Sequence, residues 1–240
     1  MNCPRCNANV AFSKKRCDNC GQDLKNYRRV VGLSNIYYNK GLSQAKVRDL
    51  SGAISSLKLS LQFNKLNTNA RNLLGLVYLE EGEIVSALSE WVISKHYQSE
   101  NNDAEDYIKM IQSNPNKLET YNQTIRKYNS ALNSAKHGDE DMAIIQLKKV
   151  VNLNPKFIRA HQLLALLYMM TGKKDNRVKA LKLLRNISQI DVTNTTTLRY
   201  MKELSDVHIR GESPKVQPKV VKKEPERRTL PQVDPDAYKT

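Results

Sequence analysis

The residues best suited to chemistry are four cysteines, all within the first twenty positions: Cys3-Pro4-Arg5-Cys6 and Cys17-Asp18-Asn19-Cys20. Each pair leaves two residues between its thiols, and ten residues separate the pairs. A C-x-x-C turn sets both sulfurs on one side of a tight loop. Two such turns supply the four thiolates of a closed, structural, tetrahedral Zn²⁺ site. Residues 1–25 hold few apolar side chains, Val10, Phe12 and Leu24. A segment so poor in core should need the metal to fold. A disulfide staple is the other use of four thiols, but it belongs to short secreted scaffolds, and this chain has 240 residues.

No other constellation promises catalysis. The histidines are His96, His137, His161 and His208, none near a carboxylate or thiol at ligand or triad spacing. His161 falls at the core edge of a helix. Carboxylate groups such as Glu80-Glu81 and Asp139-Glu140-Asp141 lie at turn signals, where a solvated face is expected. No phosphate loop, dinucleotide fingerprint, nucleophile elbow or H-E-x-x-H motif occurs. The chain reads as a non-enzyme. Lys14-Lys15-Arg16, between the two cysteine pairs, could contact phosphates. That cluster carries the alternative reading, a nucleic-acid-associated protein. With only Phe12 as a nearby aromatic, simple solvation is the better account of it.

The elements that must position these residues follow from patterning. The net charge of +15 divides as +5 over residues 1–30, +8 over 31–210 and +2 over 211–240, so no stretch is a dense polybasic arm. Apolar runs such as Leu163–Met170 are far below the roughly 18 residues that span a bilayer. Met1 leads straight into the first cysteine turn, so the expected compartment is the reducing cytoplasm. From about residue 30 to 210, apolar residues recur at steps of three and four, as in Leu73, Leu74, Val77 and Tyr78, which is a helical period. Turn signals separate these stretches: Glu81-Gly82-Glu83, His137-Gly138-Asp139, Asn154-Pro155 and Thr171-Gly172-Lys173. Residues 211–240 hold five of the eight prolines and no periodic apolar face, as a disordered linker would.

The helical segment repeats itself. Gly41 and Gly75, Ala53 and Ala87, Leu57 and Trp91, Ala131 and Ala165, and Gly138 and Gly172 are each 34 residues apart. Two short helices per 34 residues is the length of a tetratricopeptide (TPR) unit. Leu74-Gly75-x-x-Tyr78, Gly82, Ala87 and Trp91 resemble its pattern, as do Leu164-Ala165-x-x-Tyr168, Gly172, Ala180 and Leu184. The expected architecture is an all-α TPR superhelix with repeats at 34–67, 68–101, 124–157 and 158–194, and a capping helix at 195–210. The 22 extra residues 102–123 read either as a separate short helix or as an early start of the third repeat. The late Ala180 suggests an enlarged turn over residues 173–177.

The N-terminal segment, Cys3-Pro4-Arg5-Cys6 with Cys17-Asp18-Asn19-Cys20-Gly21, resembles the short bacterial zinc ribbon. Ribbon followed by TPR array resembles a group of bacterial proteins in which a membrane helix often follows the repeats. By that resemblance the chain is a soluble relative or the cytosolic part of a longer protein. The TPR resemblance implies a scaffold or adaptor that takes a protein or peptide segment in a concave groove. The groove positions it implies include Tyr38, Leu42, Asn72, Leu76, Leu79, Tyr128, Leu132, Leu166 and Met169. Such a leucine-, tyrosine- and methionine-rich strip suits an apolar partner segment. It does not suit the clamp that holds chaperone C-termini, whose basic and amide positions are here Tyr38, Leu42, Ile125 and Asn129.

Overall fold

The computed structural model describes residues 1–210, without the side chains of Lys117 and of residues 207–210; the stretch 211–240, read above as a linker, lies outside the described residues. Its helices are α1 Lys25–Lys46, α2 Leu50–Phe63, α3 Thr68–Glu80, α4 Ile84–Tyr97, α5 Ala104–Gln112, α6 Pro115–Lys136, α7 Glu140–Leu153, α8 Ile158–Met170, α9 Lys174–Ser188 and α10 Thr195–Arg210. Extended pairing among the described residues is limited to two isolated antiparallel bridges, Asn2 with Asn9 and Arg16 with Asp23. The fold is all-α and built of helical repeats.

Helices pair as hairpins, α1 with α2, α3 with α4, α6 with α7 and α8 with α9. Each hairpin turn contains one left-handed residue: Arg48 (φ +59°), Gly82 (+78°), Gly138 (+82°) and Gly172 (+69°). This conformation ends a helix, and glycine adopts it without a Cβ penalty. Asp49 and Asp139 then cap the second helix by accepting from the backbone N–H of Gly52 (2.9 Å) and Met142 (3.2 Å). Close approach within a hairpin needs a small residue. A Cβ at Gly75 would lie 2.2 Å from Nε1 of Trp91, a fully buried side chain whose indole N–H donates to the Asn72 carbonyl (3.1 Å).

The segment 102–123 realises both readings at once. Asn102 accepts from the Ala104 N–H (3.1 Å) to open α5, and Pro115 opens an α6 nine residues ahead of the repeat-like part. The apolar face of α5 (Ala104, Ile111) joins Ile84, Ala87 and Trp91 in one cluster, with the Tyr107 ring 5.3 Å from that of Trp91. The expected enlarged turn at 173–177 is not formed. α9 starts at Lys174 after a tight turn, and the three extra residues before Ala180 are helical.

A longer period contains the 34-residue one. Shifting α1, α2, α3 and α4 by 90 residues reproduces the starts of α6, α7, α8 and α9. The same shift superposes Tyr38 on Tyr128, Leu42 on Leu132, Asp49 on Asp139, Leu57 on Leu147, Asn64 on Asn154, Tyr78 on Tyr168 and Gly82 on Gly172. The chain is therefore a duplicated unit of four helices plus an appended one, α5 in the first half and α10 in the second.

The halves are folded back on each other along a seam between hairpin turns of the first and inter-repeat loops of the second. Ile158 N–H donates to the Glu81 carbonyl (3.2 Å), and Asn154 Nδ2 to that of Gly82 (3.1 Å). Val192 N–H donates to the Arg48 carbonyl (3.0 Å). Lys156 pairs with Glu80 (2.9 Å) and Arg159 with Glu83 (3.3 Å). Asp191, 1 % exposed, accepts from the Leu50 N–H (3.0 Å) and the Ser51 hydroxyl (2.5 Å), and the Thr193 hydroxyl donates to Asp49.

Candidate metal centre and interaction surfaces

The cysteine module is itself a duplication, displaced by 14 residues. Cys3 N–H donates to the Ala8 carbonyl and Cys17 N–H to that of Gln22; Asn7 N–H donates to Cys3 and Gly21 N–H to Cys17, each at 2.9 Å. Asn7 (φ +57°) and Gly21 (φ +70°) occupy the same left-handed place, directly after the second cysteine of each turn. Val10 and Leu24, also 14 apart, are buried with Cys3 and Cys17 as the module's small core. Phe12 is not in that core. It is 46 % exposed and lies against α1, with the Arg28 guanidinium 5.3 Å from its ring centre.

The two turns bring all four sulfurs within 4.8 Å of one another. Cys3 and Cys20 are 3.6 Å apart, as are Cys6 and Cys17. A disulfide needs sulfurs at about 2.0 Å. Thiolates at about 2.3 Å from a tetrahedral ion lie about 3.8 Å from each other, close to the spacing seen. Backbone amides turn toward the sulfurs: those of Arg5 and Cys6 toward Cys3, Ala8 toward Cys6, Gln22 toward Cys20. The Cys6 thiol is drawn down to about 6, foremost by the Ala8 N–H. Cys20, although the Gln22 amide favours its thiolate, is pushed up to about 12 by desolvation and the neighbouring thiols. Four thiols so close cannot all ionise without a cation to hold the charge, and the donor set could hold one metal ion.

Lys14, Lys15 and Arg16 lie exposed between the two cysteine turns. Lys14 faces Asp18 (3.4 Å), Lys15 offers its carbonyl to Leu24, and Arg16 is bridged to Asp23. His161 is buried, with Nδ1 2.9 Å from the Phe157 carbonyl and its pKa lowered by desolvation.

The residues expected in a groove divide among several settings. Leu76 and Leu79 pack in the cluster of α4, α5 and the start of α6, while Tyr38 packs with α2 and α3. Asn72 is buried; its Nδ2 donates to Asn102 (2.8 Å) and its Oδ1 has no partner. Met169 packs with the second half's core, and Leu42 and Leu166 are half-buried. Tyr128 and Leu132, with Ile125, line a cavity of about 290 Å³ closed by Phe157, Arg159 and the first turn of α4. The Tyr128 and Phe157 rings stand 4.8 Å apart.

Glu81 is not the solvated turn residue that its position suggested. Burial at the seam, then Asp191 and Glu83, push its carboxyl up to about 7, against partial relief from Lys58 and Arg159. No sequence pattern marked Asp191 or Ile158 as its neighbours, because the 90-residue unit that brings them together is spread across the chain. The folded chain holds the Glu81 proton up to about pH 7, whereas the unfolded chain releases it near 4.5. The stability it contributes is therefore full below about pH 4.5 and lost as pH rises through 7. Glu81→Gln should remove this fall and melt higher than the parent at pH 8. Equal slopes of melting temperature against pH for both chains would show that Glu81 stays ionised in the fold.

No protein-family model and no curated protein matches this chain. Solved structures similar to it include YrrB, described as a TPR protein with an unusual peptide-binding site: 20 % identity over 69 % of this chain and 90 % of that one, TM-score 0.30. PilF of Pseudomonas aeruginosa is 14 % identical over 76 % of this chain and 72 % of its own, TM-score 0.32. MamA is 19 % identical over 77 % and 88 %, TM-score 0.29. Superpositions this loose add nothing to the repeat architecture, which rests on the hairpins, turns and internal periods described above.

Proposed function

We propose that the chain is a protein-interaction scaffold, with a structural Zn²⁺ held by Cys3, Cys6, Cys17 and Cys20 and a partner segment bound on the inner face of its helical array. The observation that carries the binding reading is the cavity at Ile125, Tyr128 and Leu132. Three side chains spaced along one face of α6 line it together with Phe157, whose ring stands against Tyr128, and leave about 290 Å³ unfilled. An apolar side chain of a bound segment suits those walls, with Arg159 at hand for a carboxylate or carbonyl.

Selection of a random peptide library on the immobilised chain tests this. Recovered peptides should share apolar anchors, and Leu132→Glu should weaken them at least tenfold while circular dichroism stays unchanged. Peptides that bind the variant as well as the parent would remove the cavity from the account.

A further inference from the structure

A second depression lies away from the inner face, where α7 and α9 flank α8. It measures about 310 Å³, and none of the groove residues named above lines it. Its floor and walls are apolar: Leu164 and Tyr168 are buried beneath it, with Val151 and Leu183 at the sides. Its rim carries Lys148, Lys179 and Lys182, and no acidic residue lines it. None of the three lysines belongs to an ion pair among the described residues; Lys179 lies 6.0 Å from the centre of the Tyr168 ring.

The duplication shows that this charge is not demanded by the repeat. The first half keeps Lys58 over Tyr78 (5.8 Å), the counterparts of Lys148 and Tyr168. Its α4 is matched to α9 by the fully buried pairs Ala87 with Ala180 and Trp91 with Leu184. By that match Lys179 and Lys182 correspond to Ser86 and Ser89, and Leu183 to Glu90, which pairs with Arg71 (2.9 Å). The fold is thus satisfied by neutral and acidic residues at these places. In the second half they are two lysines and a leucine around an apolar depression.

We propose that this cleft is a second docking site, for an acidic peptide segment that inserts one large apolar side chain between α7 and α9. The walls provide for the anchor, and three ammonium groups with no carboxylate partner among the described residues, Lys179 touching only the Asn176 amide oxygen (3.5 Å), provide for carboxylates on either side of it. A nucleic-acid strand would instead want an accessible stacking platform, and Tyr168 is only 6 % exposed.

The test is fluorescence anisotropy on the full chain with three labelled probes: a peptide of Asp and Glu around a central Phe-Leu pair, the same peptide with Ser-Ser at its centre, and a single-stranded oligothymidylate. The Phe-Leu peptide should bind, weaken with added salt, and lose at least tenfold in affinity in the Lys179→Ser/Lys182→Ser chain, whose new residues are those the first half tolerates. The Ser-Ser peptide should lose as much on the parent chain. Absent binding, equal binding by the variant, equal binding of the Ser-Ser peptide, or preference for the oligonucleotide would each overturn the proposal. Neither lysine lines the inner-face cavity, so these outcomes leave the proposed function to its own test.

Discussion

Alanine at Gly82 should cost several times what alanine costs at Gly172, although the two glycines hold the same place in the duplicated unit. Both are left-handed, at φ +78° and +69°, so each substitution meets a backbone penalty of about 1 kcal/mol. At Gly172 a Cβ meets nothing within 4 Å, and the cost ends there. At Gly82 it would stand 2.7 Å from both N and Cα of Phe157, backbone that cannot rotate away. Relief requires the loop 154–158 to retreat, loosening the bonds from Asn154 and Ile158 across the seam. Overpacking of this kind adds about 1–3 kcal/mol, for a total of about 2–4 kcal/mol. Urea unfolding of the two variants checks the ratio, and equal losses would mean that the halves do not meet at this turn.

Metal removal should have the larger local effect. The module's core is two side chains, Val10 and Leu24, with Cys3 and Cys17. Structural Zn²⁺ in comparable four-ligand modules contributes about 10–16 kcal/mol of binding free energy, which becomes folding free energy. Chelation, or Cys17→Ser, should therefore unfold residues 1–24 and expose their amides to hydrogen exchange. Protection at α7 and α8 should be untouched, since their core lies wholly in the second half. Elemental analysis should give one zinc per parent chain. Unchanged protection of the Cys3 and Cys17 amides after chelation would show that the module holds itself together without an ion.

Much of this was legible in the residues, for reasons that differ by element. Helical hairpins write themselves locally. Gly75 must be small because Trp91 fills the space above it, and Gly82 and Gly172 end helices where only a glycine sits without strain. The cysteine spacing is local in the same way: each turn is closed by bonds within eight residues, and the second copies the first. The seam is not local. Asp191 is bonded to Leu50 and Ser51 across some 140 residues, and nothing near Asp191 in sequence announces a burial. The 34-residue step drew attention to single hairpins and made residues 102–123 look like an interruption. Two steps plus that segment form the 90-residue unit, visible only when Tyr38, Asp49, Leu57 and Gly82 are set against Tyr128, Asp139, Leu147 and Gly172. Glu81 reads as solvated for this reason, because a turn that looks open in one hairpin is covered by a loop from the other half.

The most direct test of the scaffold account is NMR titration of the zinc-loaded chain with a library-selected peptide. Saturable shifts are expected to centre on Ile125, Tyr128 and Leu132, with Phe157 and Arg159 following. Shifts that leave those five residues still while the peptide binds elsewhere would contradict it.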